Sequence, residues 1–273
     1  MLNILFIPEI ILSIGVMIII LFDLFFQKQK GLSFTLVQFL LLIAAYYSLN
    51  NKFSPSYSAY TLNEFTNIFK FILLVGSLTI FHYTYKHLKF LKILKIEYFT
   101  ISLLGLIGTM IMISANSLLM LYLGIELLSL SLYALIGFNK KSSLSSEAAI
   151  KYYVLGAMSS GILLFGISLI YGFTGSITYD GIASQLINID MNSVDYIAII
   201  FGIIFITASL CFKFGAAPFH MWVPDIYQGS LISTTILLST LPKIAVFIVF
   251  LKLYFIPFIL LREVWSDILI FVG

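Results

Sequence analysis

Glu126 stands in the middle of residues 117–138, an otherwise uncharged stretch long enough to cross a bilayer. A bare carboxylate at the bilayer midplane costs roughly 2.5–3.5 kcal/mol on insertion scales, so it persists only beside a partner or a water path. Lys151, Lys213 and Lys243 each fall inside another apolar run of spanning length. One acid and three bases on separate spans are the residue types from which a buried charge or proton pathway is made.

Each of the four has a plainer reading beside the functional one. Glu126 could serve only as interhelical hydrogen-bonding glue, and Lys243 as half of a salt bridge. Lys243 follows Pro242 and lies about a dozen residues from either end of its span, too deep to snorkel fully. The proline removes a backbone donor and can free carbonyls for water or for the ammonium. Lys213 precedes Gly215 and Pro218, which predict a break in the helix just past it; discontinuous helices recur at membrane ion-handling sites. Lys151 is open to two readings: snorkelling toward the polar surface, or membership of the array, with Glu147 four residues earlier as a candidate partner. His220 and Asp225 flank Trp222. His220 either titrates near neutral pH or caps carbonyls of the broken helix. Glu9, Asp23 and Lys70 lie nearer span ends and read as interfacial or interhelical pairs.

The elements that must position these residues follow from length and hydropathy. The chain has 273 residues, 61% hydrophobic and 10% charged, with a mean hydropathy of +1.09, far outside the soluble range. A span needs about 20 apolar residues at about 1.5 Å each. Eight runs qualify: 4–26, 32–49, 65–85, 98–115, 117–138, 148–173, 195–217 and 231–255. The expectation is an all-α polytopic membrane protein of about eight transmembrane helices. Residues 115–117 predict a tight hairpin, and 174–193 a loop with a short helix around 180–186. Lysines after the odd-numbered spans (Lys28, Lys30, Lys86, Lys89, Lys92, Lys95, Lys140, Lys141) face Lys52 alone after the even ones. That bias predicts odd connections in the cytoplasm or mitochondrial matrix and the N-terminus on the opposite side.

Several function classes drop out. A single cysteine, Cys211, cannot hold an iron–sulfur cluster or a disulfide framework by itself. No glycine-rich nucleotide loop follows a strand-like run, and clustered Cys/His ligands are lacking. The net charge of +3 comes from lysines between spans and reads as topology, not as a nucleic-acid surface.

Five stretches carry a family resemblance: PEIILSIGVMIIILFDLF from Pro8, NEFTNIFK from Asn63, SANSLLMLYLGIELLSLSLYALIGF from Ser114, EAAIKYYVLGAMSSGILLFGISLIYGFTGS from Glu147 and FKFGAAPFHMWVPDIYQG from Phe212. They resemble subunit 2 (bacterial subunit N) of the proton-pumping NADH:quinone oxidoreductase, respiratory complex I. Tyr227 and the Pro242-Lys243 pair favour this subunit over its two antiporter-like siblings.

The resemblance implies a membrane-arm subunit that moves protons when quinone is reduced elsewhere. Glu126 on the fifth helix would pair with Lys213 on a discontinuous seventh, Lys243 would relay protons, and Lys151 would modulate the pair. It implies no cofactor on this chain, with FMN, iron–sulfur clusters and ubiquinone in partner subunits. Partners would be other membrane-arm subunits, the antiporter-like siblings and membrane lipids. Family members carry about fourteen helices, with two inverted five-helix repeats after the early spans. On that pattern residues 1–97 are the early spans, 98–255 the first repeat and 256–273 the start of a ninth helix, with a separate chain expected to supply the rest. Two rival expectations are a subunit of a multisubunit sodium/proton antiporter and a purely structural half-subunit. The bias toward Phe, Ile, Tyr, Lys and Asn favours a mitochondrial inner membrane over a bacterial plasma membrane.

Overall fold

The structure is a computed structural model that describes residues 6–26, 29–50, 59–187, 189 and 193–272. Lys28 and Lys52, which enter the lysine bias, and Gly273 lie outside the described residues. Eleven α-helices occur among the described residues: α1 Ile7–Phe25, α2 Lys30–Asn50, α3 Glu64–Phe90, α4 Glu97–Ser114, α5 Leu118–Ile136, α6 Ser143–Thr174, α7 Tyr179–Leu186, α8 Val194–Phe214, α9 Trp222–Gly229, α10 Ile232–Phe255 and α11 Arg262–Val272. Eight of them, α1–α6, α8 and α10, are long and apolar enough to cross a membrane. The eight expected spans are thus all present. The expected short helix in the long connection is α7.

Local capping explains where the helices begin. Asn63 accepts from the Thr66 amide at 2.9 Å while Thr66 Oγ1 accepts from the Asn63 amide at 3.0 Å, a reciprocal cap for α3. Ser117 accepts from the Met120 amide and starts α5. Ser142 accepts from the Ser145 amide, so α6 begins at Ser143 and not near the expected residue 148. Span seven ends at Phe214 and not near 217, because Gly215 takes φ +75°, a conformation that costs other residues a Cβ clash.

The bundle is built around α4, which packs on α1, α3, α5 and α10. A Cβ on Gly108 would come within 2.7 Å of the Leu128 amide nitrogen, and one on Gly124 within 2.9 Å of that of Met112. These glycines therefore let the backbones of α4 and α5 touch, the close approach that replaces hydrophobic drive between helices in lipid. Helix α6 meets α8 through polar glue: Ser209 Oγ donates to the Ser159 carbonyl at 2.8 Å, and the two hydroxyls are 2.9 Å apart. The tight connection at Ala115–Ser117 is pinned by backbone bonds, Asn116 to the Ala59 carbonyl and Leu118 to the Ile177 carbonyl, both 2.9 Å.

The two ends of the bundle differ. One carries Lys86, Lys89, Lys92, Lys95, Lys140 and Lys141, and Lys30 donates there to the Leu94 carbonyl at 2.8 Å. The other gathers the starts of α1, α3, α5 and α8 with the ends of α4, α6 and α10. After α10 a 3₁₀ turn at Ile259–Leu261 leads into α11, which packs on α8. Trp265 stacks on Tyr254 with centroids 4.9 Å apart and donates to the Phe258 carbonyl at 3.0 Å.

Candidate functional site

Helices α5, α6, α8 and α10 bring Glu126, Lys213 and Lys243 into one region of the bundle. Glu126 is ninth in the 19-residue α5 and Lys243 twelfth in the 24-residue α10, so both stand halfway along their helices. Helix α8 stops at the depth of Lys243, because that side chain reaches its last carbonyls. Its termination can be accounted for group by group. The Cys211 carbonyl accepts from the Gly215 and Ala216 amides at 2.8 and 3.0 Å. The Phe212 carbonyl accepts from the Trp222 indole at 3.0 Å. Lys243 Nζ donates to the Lys213 carbonyl at 3.3 Å and to the Phe214 carbonyl.

An ammonium at this position meets the negative end of the α8 dipole as well as two unpaired carbonyls. It also lies 5.1 Å from the Trp222 ring centre and 5.7 Å from that of Phe214, within cation–π range. From sequence, Pro242 is expected to free carbonyls of its own helix for water or for Lys243. Instead α10 continues through Pro242 and the lysine serves α8. The reason is supply: a proline inside a helix frees one carbonyl, whereas a helix end offers four.

Lys213 is buried and donates to Ser129 Oγ at 2.8 Å. Ser129 Oγ in turn donates to the Ile125 carbonyl at 2.7 Å. Glu126, half-buried, accepts a hydrogen bond from Ser160 Oγ on α6. The direct ion pair expected between Glu126 and Lys213 is therefore not formed. The two sense each other electrostatically, but each is satisfied by a serine, and Ser129 lies three residues, almost one turn, past Glu126. A small cavity beside Lys213, lined also by Ser129, Tyr152 and Pro242, measures about 10 Å³, close to the least space a water occupies.

Of the two readings open for Lys151, the structure shows the one at the polar surface. Its side chain is 45% exposed and bridges Glu147 at 2.8 Å and Asp225 at 2.9 Å. Lys151 is ninth in α6, and the amphipathic α9 presents Asp225 to it. A polar cavity of about 110 Å³ adjoins this trio. His220 is exposed; the carbonyls it was expected to cap are served by Lys243 and Trp222.

Sequence reasoning missed Ser129, Ser160 and Lys252. Ser129 sits at i+3 from Glu126, on the same helix face, a spacing that was legible. Ser160 carries no such signal. Lys252 stands 21st in a 24-residue helix, near the end of its span where a lysine draws no attention, yet it is 7% exposed.

Comparison with known proteins bears on the family and the fold. Residues 115–273 match the family described as NADH:quinone oxidoreductase/Mrp antiporter, transmembrane. NADH-quinone oxidoreductase subunit N of Ruthia magnifica subsp. Calyptogena magnifica is 39% identical over 266 residues, covering 96% of this chain and 55% of the relative. Subunit N of Pelagibacter ubique (strain HTCC1062) is 38% identical over 270 residues, 97% of this chain and 56% of the relative. Among solved structures, respiratory complex I from Thermus thermophilus with bound aureothin contains a chain that superimposes with a TM-score of 0.72 at 25% identity, covering 90% of this chain and 52% of that one. The chain spans about half the length of the curated relatives it matches. An eight-span bundle with a broken α8, an acid and two lysines near mid-depth, and a family match over more than half its length together place the chain in the NADH:quinone oxidoreductase/Mrp antiporter transmembrane family.

Proposed function

We propose that this chain is a membrane-arm subunit of a proton-translocating NADH:quinone oxidoreductase. Its buried charges move protons in response to quinone reduction in other subunits. FMN, iron–sulfur clusters and ubiquinone belong, on this reading, to those partners. The observation that carries the proposal is the mid-depth array itself, in which Glu126, Lys213 and Lys243 each have a polar partner on a different helix. Lys213 reaches Glu126 by moving its ammonium about one helical turn, about 5 Å, and leaving Ser129. That exchange of partners is the switch. With the pair closed, positive charge moves away from Lys243, and the proton held at the α8 break is retained more readily. With the pair open, it is released.

The Lys151–Glu147–Asp225 trio and its cavity are suited to proton uptake from the lysine-rich side, which the charge bias assigns to the cytoplasm or matrix. Glu126 is only partly covered by this chain, and a half-exposed carboxylate facing hydrocarbon is costly. A protein neighbour over that face, an antiporter-like sibling in the membrane arm, removes the cost. The membrane is energy-transducing: the compositional bias supports a mitochondrial inner membrane, and the bacterial relatives support a plasma membrane.

Glu126→Gln tests the proposal, because it preserves the acceptor for Ser160 and removes the charge. The complex is expected to assemble normally while proton-coupled turnover falls; a parental proton-to-electron ratio rejects the role. The family description also covers Mrp antiporters, so a sodium/proton antiporter subunit is the second reading. Purification of the native assembly separates the two. Flavin and iron–sulfur subunits are expected in the first case and absent in the second.

A further inference from the structure

A second set of ionisable side chains lies at the end of the bundle away from the lysine-rich loops. Glu9 stands in the first turn of α1, Lys70 seventh in α3, and Tyr60 in the connection before α3. All three are buried, Lys70 with no exposed surface. Lys70 Nζ lies 2.7 Å from Glu9 Oε1 and donates to the Tyr60 hydroxyl at 2.5 Å. That hydroxyl donates to the same Glu9 oxygen at 2.7 Å. Burial first, then the Glu9 carboxylate, push the Tyr60 phenol well above the usual tyrosine range, so it stays a donor. The other carboxylate oxygen, Glu9 Oε2, is buried with no hydrogen-bond partner. Such an atom is destabilising until a proton or a water reaches it.

Lys252 completes the set from α10. Its ammonium donates to the carbonyls of Ile113 at 2.9 Å and Ala115 at 2.6 Å, at the end of α4, and to Thr61 Oγ1 at 3.0 Å. It lies within electrostatic range of Lys70. Lys252 follows Lys243 by nine residues, about half a turn out of phase at 3.6 residues per turn. One helix therefore aims one lysine at the α8 break and another at this end. Two ammonium groups against one carboxylate leave a net positive charge in a low-dielectric setting, which is costly. Loss of a single proton removes it. Lys252 also lines an open cavity of about 370 Å³, whose walls are otherwise Thr61 and Asn63 on the polar side and Phe65, Leu251, Phe255 and Ile256 on the apolar side. The polar side has the partners and the room that water needs.

We propose that Glu9, Tyr60, Lys70 and Lys252 form a second proton-exchanging centre, through which the charge array communicates with the compartment opposite the lysine-rich loops. Lys252 Nζ gives one proton to a cavity water, which carries it outward as hydronium. The neutral amine keeps two N–H groups for the Ile113 and Ala115 carbonyls, and the Thr61 hydroxyl turns from acceptor to donor toward its lone pair. A proton arriving from within the bundle restores the ammonium. Lys70, paired with Glu9 and Tyr60, repels the Lys252 charge and promotes release.

The inference rests on the proton-translocation reading, and the experiment separates the two. Glu9→Gln keeps the size and an acceptor oxygen; Lys252→Arg keeps the charge and the carbonyl bonds but cannot release a proton. In the intact complex reconstituted into vesicles, both are expected to assemble in wild-type amounts. Both should lose proton pumping per electron to the extent that Glu126→Gln does. Parental ratios in both variants overturn the proposal. Should neither assemble, Phe65→Cys, on the cavity wall and bonded to none of the four groups, is expected to react with a membrane-impermeant maleimide from the outer side; no reaction overturns it. Pumping lost in Glu126→Gln but parental in Glu9→Gln and Lys252→Arg rejects this centre alone; pumping lost in only one of the two removes the other residue from it. Pumping intact in all three rejects the reading beneath it.

Discussion

Lys243 caps α8, the proposed function gives it a second duty as a proton relay, and substitutions can separate the two. As the cap of α8 it satisfies the carbonyls of Lys213 and Phe214; removing a buried partner leaves each exposed to a penalty of about 1–3 kcal/mol. Lys243→Met is therefore expected to lower the thermal inactivation midpoint of the complex as well as proton pumping. Lys243→Arg keeps a donor and should recover stability without pumping, since guanidinium does not titrate in proteins. Equal pumping in the two variants and wild type would leave Lys243 a cap only. The four ionisable residues were legible in the sequence because charge is rare in oil. Their partners were not, because a serine is unremarkable until its neighbour is known. Glu126 is served by Ser160, 34 positions away, and Lys213 by Ser129, 84 positions away. Lys151 stood near the start of its run and was open to two readings; packing decided for the exposed one, through bridges to Glu147 and to Asp225, 74 positions away.

At the scale of elements, the array depends on α5 lying flush against α4 and on α8 stopping at Phe214. Gly124→Ala would place a methyl 2.9 Å from the Met112 amide nitrogen, so the helices must separate, at a cost of about 1–3 kcal/mol. The expected result is less assembled complex and a lower thermal midpoint. Gly161→Ala is the control, because nothing lies within 4 Å of its new Cβ, and it is expected to be neutral. No loss in Gly124→Ala would mean that α4 and α5 are not in backbone contact. Gly215 and Pro218 announced the break in the seventh span from sequence alone. They did not announce what fills it, since the Trp222 indole and Lys243 ammonium arrive from a later helix and a later span. The cap at Ser142 also went unread, and with it the true start of α6.

For the whole molecule, the lysine bias implies an orientation that can be measured directly. In an otherwise unaltered assembly, Lys141→Cys in the connection after α5 is expected to react with an impermeant maleimide only from the cytoplasmic or matrix side. Ile187→Cys, 71% exposed after α7, should react only from the other; the opposite pattern inverts the topology. Taken alone, the sequence determined the class, the number of spans, the discontinuity after Lys213 and the family. Each is a property of a contiguous stretch: hydropathy over about 20 residues, a glycine and proline at a helix end, a run of motif residues. The tertiary structure alone decided which charges share a partner, that Glu126 and Lys213 stand apart on serines, that Lys243 closes α8, and that Lys252 belongs with Glu9 and Lys70. Those facts join residues up to 191 positions apart, as Lys252 and Thr61 are, and no local pattern encodes a contact made only when separate helices pack.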